Sequence, residues 1–199
     1  MKMHDYFVIY KPYQVLSQFS PEGDKKTLAS LAAFPKDVYP VGRLDYDSEG
    51  LLVLTNNPRI NKLLLNPENK HERKYWIEVE GLPDTEAIAQ LEKGVNINID
   101  GKLYTTLPAK AFLMKASPAL PERIPPIRFR KNIPTTWLSL TLKEGKNRQV
   151  RRMTATVGFA TLRLIRYRIE RITLGEMQPG DIIELSRDEV YRRVLSRNI

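Results

Sequence analysis

Short stretches of alternating apolar and polar residues constrain the fold of this chain more than any other feature. In the clearest of them, Tyr75, Ile77 and Val79 alternate with more polar neighbours. A period of two predicts a strand with one buried face. The dipeptide Asp100-Gly101 predicts a two-residue hairpin turn. Apolar or alternating patterns predict other strands at residues 6–10, 51–55, 95–99, 109–114, 137–142, 162–174 and 182–185.

Helices are predicted between these strands from their terminal residues. Asn57-Pro58 is typical of a helix start, and Gly94 is typical of the position just after a helix that spans residues 85–93. Other helices are predicted over residues 27–34, 147–157 and 188–196. Helices and strands are mixed without regular strand–helix–strand alternation. The pattern therefore predicts an α+β fold, with a mixed, mainly antiparallel sheet in two lobes and short flanking helices.

The charge balance indicates an anionic partner. The 199 residues include 32 Lys and Arg against 23 Asp and Glu, a net charge of +9. Such an excess favours nucleic acid or an acidic membrane. The longest apolar runs are far shorter than the roughly 20 residues that span a bilayer, which makes a membrane partner the weaker alternative.

The scarcity of cysteine and histidine narrows the chemistry. With no cysteine, the chain has no disulfide, zinc thiolate or thiol nucleophile. The absence of cysteine is compatible with a location in the cytosol. His4 and His71 lie far apart in sequence, so neither a histidine metal site nor Ser-His catalysis is expected. The carboxylates are the remaining candidates for catalytic groups.

The acidic turn, residues 42–50, combines Asp45, Asp47 and Glu49 with Arg43. A plain surface loop would explain it. Calcium is a second interpretation, since the carboxylate spacing matches the start of an EF-hand loop. That motif requires a bidentate glutamate at its twelfth position, where this chain has Asn56, so no metal is expected.

Two basic segments are candidates for phosphate contact. The proline-rich residues 117–134 predict an irregular loop that carries Arg123, Arg128, Arg130 and Lys131. The cationic segment, residues 143–152, lies at the start of the helix predicted over residues 147–157. On that helix Val150 and Met153 would face the core, and Arg148, Arg151 and Arg152 would share another face. A solvated helix face would explain these charges, but their clustering favours phosphate contact.

The motifs taken together resemble the RsuA-like family of bacterial rRNA pseudouridine synthases. The resemblance rests on Gly42-Arg43-Leu44-Asp45, on Arg73-Lys74-Tyr75 and on residues 144–152, in that order and spacing. Lys11-Pro12-Tyr13 and Leu164-Ile165-Arg166 fit the same pattern, so it covers nearly the whole chain. The resemblance implies the pseudouridine synthase fold, with an active cleft between the lobes. It also implies conversion of a uridine in rRNA to pseudouridine without cofactor or metal.

The resemblance also implies roles for individual residues. Asp45 would be the catalytic carboxylate, Lys146 the cation that pairs with it, and Tyr75 the ring that stacks on the target base. Arg43 would help to hold the nucleotide out of its helix. Further contacts to RNA are expected from four residues of the cationic segment, namely Arg148, Gln149, Arg151 and Arg152.

Two departures from the common family pattern stand out. Glu170-Arg171 occupies a place where a glycine is expected. Many relatives carry an S4-like module before the catalytic domain. No such module is expected before the strand at Tyr6, and in this the chain resembles the RluE subgroup, which modifies 23S rRNA. We therefore expect residues 1–199 to form one catalytic domain that acts as a cytoplasmic monomer. The alternative is a noncatalytic RNA-binding or ribosome-assembly protein.

Overall fold

The computed structural model describes residues 4–127 and 133–195. Its four α-helices are α1 (Pro58–Leu65), α2 (Thr85–Lys93), α3 (Gln149–Thr156) and α4 (Arg187–Val194). Its strands are β1 (Tyr6–Lys11), β2 (Val15–Leu16), β3 (Lys26–Thr27), β4 (Tyr39–Pro40), β5 (Glu49–Thr55), β6 (Arg73–Glu80), β7 (Asn96–Ile99), β8 (Lys102–Thr105), β9 (Lys110–Leu113), β10 (Thr135–Leu142), β11 (Thr161–Ile169), β12 (Ile172–Thr173) and β13 (Ile182–Glu184).

The chain divides into two compact units. One comprises Met1–Lys70 with Arg166–Ile199, and the other comprises His71–Ile165. Strand β11 begins in the second unit and ends in the first. Each unit contains antiparallel strands and helices, in agreement with the predicted α+β class.

In the first unit, β1 lies between β13 and β5 and is antiparallel to both. All seven residues of β5 are buried. Core residues such as Ile9, Leu52 and Leu54 pack with Phe7 and Phe34, whose rings meet edge to face with centroids 5.4 Å apart. The last two residues of the acidic turn, Glu49 and Gly50, are the first two of β5, so the turn is attached to a fully buried strand.

In the second unit, β10 lies between β6 and β9, again antiparallel. The alternation predicted for β6 is observed, since Tyr75, Ile77 and Val79 are buried. They share a core with Met153 of α3 and Leu91 of α2. Strands β7 and β8 form the hairpin predicted at Asp100-Gly101.

One predicted helix is wrong. Residues 27–34 contain only a short 3-10 turn, Leu28–Ser30, and Thr27 makes no side-chain cap. Thr27 instead pairs with Leu16 in a small parallel ladder. The ring of Phe34 packs between those of Phe7 and Phe19. These contacts to distant residues override the local helix signal.

Two other local predictions need correction. Helix α3 starts at Gln149, and Arg148 stands before it with φ 49°, so Arg148 does not share a helical face with Arg151 and Arg152. The strand predicted over residues 162–174 is two strands, β11 and β12, joined at Glu170-Arg171. Glu170 has φ 49°, the left-handed conformation that favours the glycine expected there.

The proline-rich segment is irregular at residues 117–127 and 133–134, as predicted. Arg128, Arg130 and Lys131 lie outside the described residues. Over the described ranges no helix is long and apolar enough to cross a bilayer. Nor do those ranges contain a cluster of three or more His, Cys, Asp or Glu residues suited to hold a metal ion.

Candidate active site

The backbone of the acidic turn is held by hydrogen bonds on both sides of Asp45. The Ser17 hydroxyl donates to the Leu44 carbonyl at 2.8 Å and accepts from the Leu44 amide at 3.0 Å. The Ser48 amide donates to the Asp45 carbonyl at 3.0 Å, which closes the turn. Asp45 itself is half-buried. Its backbone is therefore fixed while part of its surface stays accessible.

Lys11 is a functional candidate to which the sequence assigned no individual role. Its side chain is completely buried, and Nζ donates to the carbonyls of Pro12 at 2.8 Å and Val15 at 2.7 Å. These bonds shape the turn in which the Gln14 amide donates to the Tyr46 carbonyl at 2.9 Å. Lys11 therefore supports the acidic turn from within the first unit.

Lys11 also places a titratable charge beneath the acidic turn. Burial lowers the pKa of its ammonium from 10.5 to about 7. The nearby Glu49 opposes this shift, Arg166 adds to it, and Asp47 and Asp45 oppose it more weakly. The sequence signals are the match of Lys11-Pro12-Tyr13 to the family pattern and a lysine at the end of a buried strand pattern, where a lysine is more often exposed.

The end of the acidic turn is closely packed. Glu49 and Gly50 are buried and begin β5. Arg166 of β11 is also buried, and its Nε donates to the Leu51 carbonyl at 2.8 Å. Glu49 therefore belongs to the packed end of the turn.

Tyr75 lies in β6 of the second unit, opposite Leu140 of β10. It is 8% exposed and belongs to the core that includes Val150 and Met153. The side chain is thus rigidly packed. A core position and the stacking role implied by the family resemblance are compatible.

The cationic segment is organised around Gln149. This residue was predicted to contact RNA, but it is only 3% exposed. Its Oε1 accepts from the Lys146 amide at 2.9 Å, and its Nε2 donates to Glu144 Oε1 at 2.7 Å. Gln149 therefore shapes the loop that carries Lys146.

Lys146 is exposed and lies against the hairpin of the second unit. Its Nζ is 4.8 Å from the centroid of the Tyr104 ring. The Tyr104 hydroxyl donates to Glu144 Oε2 at 2.5 Å. This hydrogen bond is the main reason that the pKa of Tyr104 rises to about 12, so the phenol stays neutral under physiological conditions.

Arg151 and Arg152 of the cationic segment differ in what they contact. Arg151 is half-buried, and its Nη1 donates to the Thr161 carbonyl at 3.2 Å. Arg152 donates from Nε to the Asn147 carbonyl at 3.1 Å and from Nη2 to Asn147 Oδ1 at 3.2 Å. Its Nη1 donates to the Asn98 carbonyl of the hairpin. Arg152 thus connects α3 to that hairpin.

The remaining predicted contacts lie on the surface. Arg43 is exposed in the first unit, and Arg148 is exposed in the second. In the proline-rich segment, Arg123 donates to the carbonyls of Pro125 at 2.9 Å and Leu162 at 3.5 Å. Arg123 thus anchors its own loop to β11, a role that the sequence did not indicate.

Comparison with known proteins decides the family. Residues 5–156 match the model of the family described as RNA pseudouridylate synthase. The chain belongs to that family. Among the relatives of this pseudouridylate synthase is the ribosomal large subunit pseudouridine synthase E of Vibrio parahaemolyticus. The two are 51% identical over 178 residues, which are 89% of this chain and 72% of the relative. The protein of the same name from Xanthomonas campestris is 47% identical over 175 residues, 87% of this chain and 91% of the relative.

Solved structures agree on the fold of this pseudouridylate synthase. A crystal structure of a pseudouridylate synthase aligns with a TM-score of 0.77 over 98% of this chain and 75% of that chain, at 23% identity. The predicted family resemblance, the pseudouridine synthase fold and the enzyme class are therefore confirmed. The roles of individual residues stay predictions.

Proposed function

We propose that this pseudouridine synthase converts a uridine of large-subunit ribosomal RNA to pseudouridine, with Asp45 as the catalytic carboxylate. The observation that carries the choice of substrate is the 51% identity to a relative named for the large ribosomal subunit. An rRNA substrate in turn suggests action in the bacterial cytoplasm. We further propose that residues 1–199 act as one catalytic domain, as a monomer.

The reaction breaks the bond between N1 of uracil and C1′ of ribose and forms a bond between C5 and C1′. C5 loses its proton and N1 gains one, so the product is an isomer of uridine. Asp45 would either attack C1′ or remove the C2′ proton, and both roles require an ionised carboxylate. The hydrogen bonds of Leu44 and Ser48 support this proposal, because a fixed backbone limits the orientations available to the carboxylate.

The positive charge that assists this carboxylate has two candidate sources. The family resemblance favours Lys146. Arg151 stands in the same motif and is a second candidate, because a half-buried guanidinium that bonds the Thr161 carbonyl is better fixed and less screened than an exposed ammonium. We propose that Arg151 contributes the larger effect and that Lys146 contributes a smaller one.

The target base must leave its stack, which costs a few kcal/mol. We propose that Tyr75 stacks on the extruded base and that Arg43 and Arg148 contact the RNA backbone. For Gln149 the proposal differs from the sequence prediction. Its burial and its bonds to Lys146 and Glu144 favour a role in shaping the loop over direct contact with RNA.

The proposal is tested by pseudouridine mapping of rRNA. The purified protein is incubated with large-subunit rRNA transcript, or with large-subunit particles from cells that lack the protein. We expect one uridine to be converted by the natural protein and none by Asp45→Asn, while both bind RNA equally. Conversion by Asp45→Asn at the natural rate would refute the role of Asp45. Conversion only in small-subunit rRNA or tRNA would refute the substrate.

A further inference from the structure

The hairpin of strands β7 and β8 contacts the cationic segment through one buried carboxylate. Glu144 is 7% exposed. Its Oε2 accepts from the Tyr104 hydroxyl at 2.5 Å, and its Oε1 accepts from the Leu107 amide at 2.8 Å and from Gln149 Nε2 at 2.7 Å. The donors come from the hairpin, from the chain that follows it and from α3. Glu144 therefore joins three separate parts of the second unit.

A buried carboxylate of this kind is costly unless its oxygens are satisfied. Three donors satisfy it here, and hydrogen bonds to a charged acceptor are stronger than neutral ones. The geometry that results is specific. With its hydroxyl bonded to Glu144, the ring of Tyr104 lies beside the loop that contains Lys146.

Lys146 is held at both ends by this network. At its backbone, the amide donates to Gln149 Oε1 at 2.9 Å. At its side chain, Nζ lies 4.8 Å from the centroid of the Tyr104 ring. A cation over the face of an aromatic ring is attracted by the negative potential of that face. An exposed lysine otherwise samples many rotamers, and the ring restricts them.

We propose that Tyr104 is a positioning residue for Lys146, oriented by Glu144 and acting in the reaction through the ammonium group that it holds. The idea rests on the proposed function, in which Lys146 assists the conversion of uridine. The part of Tyr104 that matters is the ring face. Its hydroxyl acts indirectly, by fixing the ring against Glu144.

A double-mutant cycle tests the proposal. The rate of pseudouridine formation and the KM for rRNA transcript are measured for Tyr104→Leu, Lys146→Met and the double variant. We expect about a fivefold loss of kcat for each single change, an estimate from typical cation–π strengths, with KM changed less. The double variant should lose no more than Lys146→Met alone. Losses that multiply would show that Tyr104 acts independently of Lys146 and would overturn the proposal.

Two further variants separate positioning from simple folding. Tyr104→Phe keeps the ring and loses the bond to Glu144, so we expect a loss smaller than that of Tyr104→Leu. Leu103→Ala, on the same strand and with Leu103 74% exposed, should leave kcat unchanged. If Leu103→Ala lowered kcat as much as Tyr104→Leu, the effect would belong to the hairpin as a whole, and the proposal would be wrong.

The contact itself can be observed without enzyme activity. In NMR spectra of the natural protein, ring currents should move the ε-methylene protons of Lys146 upfield, and Tyr104→Leu but not Tyr104→Phe should abolish the shift. Absence of the shift in the natural protein would overturn the proposal even if the enzyme is active. If the shift is present but Lys146→Met retains full kcat while Asp45→Asn has none, Lys146 and its positioning by Tyr104 are irrelevant to the reaction, whereas the conversion of uridine through Asp45 stands. If the natural protein forms no pseudouridine in rRNA, the proposed function fails, and the role of Tyr104 in the reaction fails with it.

Discussion

A β-carbon on Gly50 would lie 2.5 Å from the backbone oxygen of Arg166 and 2.7 Å from its backbone nitrogen. Gly50 also has φ 109°, a conformation that other residues rarely adopt. The acidic turn therefore ends at a position that admits only glycine, because strand β11 lies directly against it.

Replacing Gly50 by alanine is expected to lower the free energy of unfolding by more than about 3 kcal/mol, since backbone strain and a backbone clash add. Urea titration measures this loss. Gly23→Ala is the matched control, because Gly23 has φ 55° but open space around it. It should cost only about 1 kcal/mol. Equal losses for the two variants would show that the contact with Arg166 contributes nothing.

The buried Lys11 predicts an unusual pH dependence of stability. The pKa of Lys11 is about 7 in the folded protein and 10.5 in the unfolded chain. Between these values the unfolded chain binds the proton more tightly, so the free energy of unfolding rises with pH. One group contributes at most about 1.4 kcal/mol per pH unit. Below about pH 7 both states are protonated and this contribution to the slope vanishes.

The Lys11→Met variant isolates this contribution, because other groups titrate over the same range. Its unfolding in urea is compared with that of the natural protein at pH 6, 7, 8 and 9. We expect the stability difference between the two to change little from pH 6 to 7. From pH 7 to 9 it should shift by about 2 kcal/mol in favour of the natural protein. Parallel curves over the whole range would show that Lys11 keeps its proton when folded.

Elements whose signals are local were predictable from sequence. Helix α2 has its predicted bounds, because Asp84 caps its start by accepting from the Ala87 amide and Gly94 follows its end. The Asp100-Gly101 hairpin was predictable for the same reason. The helix expected over residues 27–34 is absent, because the pairing of Thr27 with Leu16 is a contact that local patterns do not report.

The candidate site was predictable only in part, and for a similar reason. Asp45 and Lys146 stand in motifs that are contiguous in sequence. The support around them depends on distant residues. The sequence placed Glu144 in a motif but gave it no role. The residue that donates a hydrogen bond to it, Tyr104, lies on a hairpin that is distant in sequence. Likewise, the burial of Gln149 and the hydrogen bond from Arg152 to the Asn98 carbonyl depend on how that hairpin packs.

Tyr75→Phe is expected to fold normally and to retain more activity than Asp45→Ala. The ring fills the same place beside Val150 and Met153, and stacking on a base does not need the hydroxyl. We expect less than a tenfold loss of kcat, measured by pseudouridine formation, and a melting temperature within a few degrees of the natural protein. Complete loss of activity, equal to that of Asp45→Ala, would show that the hydroxyl takes part in the chemistry.

The two cations proposed to assist Asp45 should differ in their effects on kcat. Arg151→Met is expected to cost about a hundredfold, within the range for loss of a group that acts in the chemical step. Lys146→Met is expected to cost about fivefold. Circular dichroism and RNA binding serve as controls for folding and affinity. A larger loss for Lys146→Met than for Arg151→Met would assign the main role to the lysine, as the family resemblance implies.

Arg148 and Arg152 belong to the same motif of the cationic segment, yet the contacts of their side chains predict different effects on stability. Arg152 bonds Asn147 and the Asn98 carbonyl, so Arg152→Ala should lower the free energy of unfolding by about 1–2 kcal/mol. Arg148 is exposed, so Arg148→Ala should change stability by less than about 0.5 kcal/mol.

The salt dependence of RNA binding should show the opposite order. If Arg148 neutralises a phosphate, Arg148→Ala reduces the slope of log K against log salt by about one, and Arg152→Ala leaves that slope nearly unchanged. Fluorescence anisotropy with a labelled rRNA fragment between 50 and 300 mM salt, roughly the range in which such slopes are steep, measures both. A reduced slope for Arg152→Ala with unchanged stability would mean that the guanidinium leaves Asn98 to bind RNA. The hydrogen bond from Arg152 to the Asn98 carbonyl would then exist only in the free protein and would break when RNA binds.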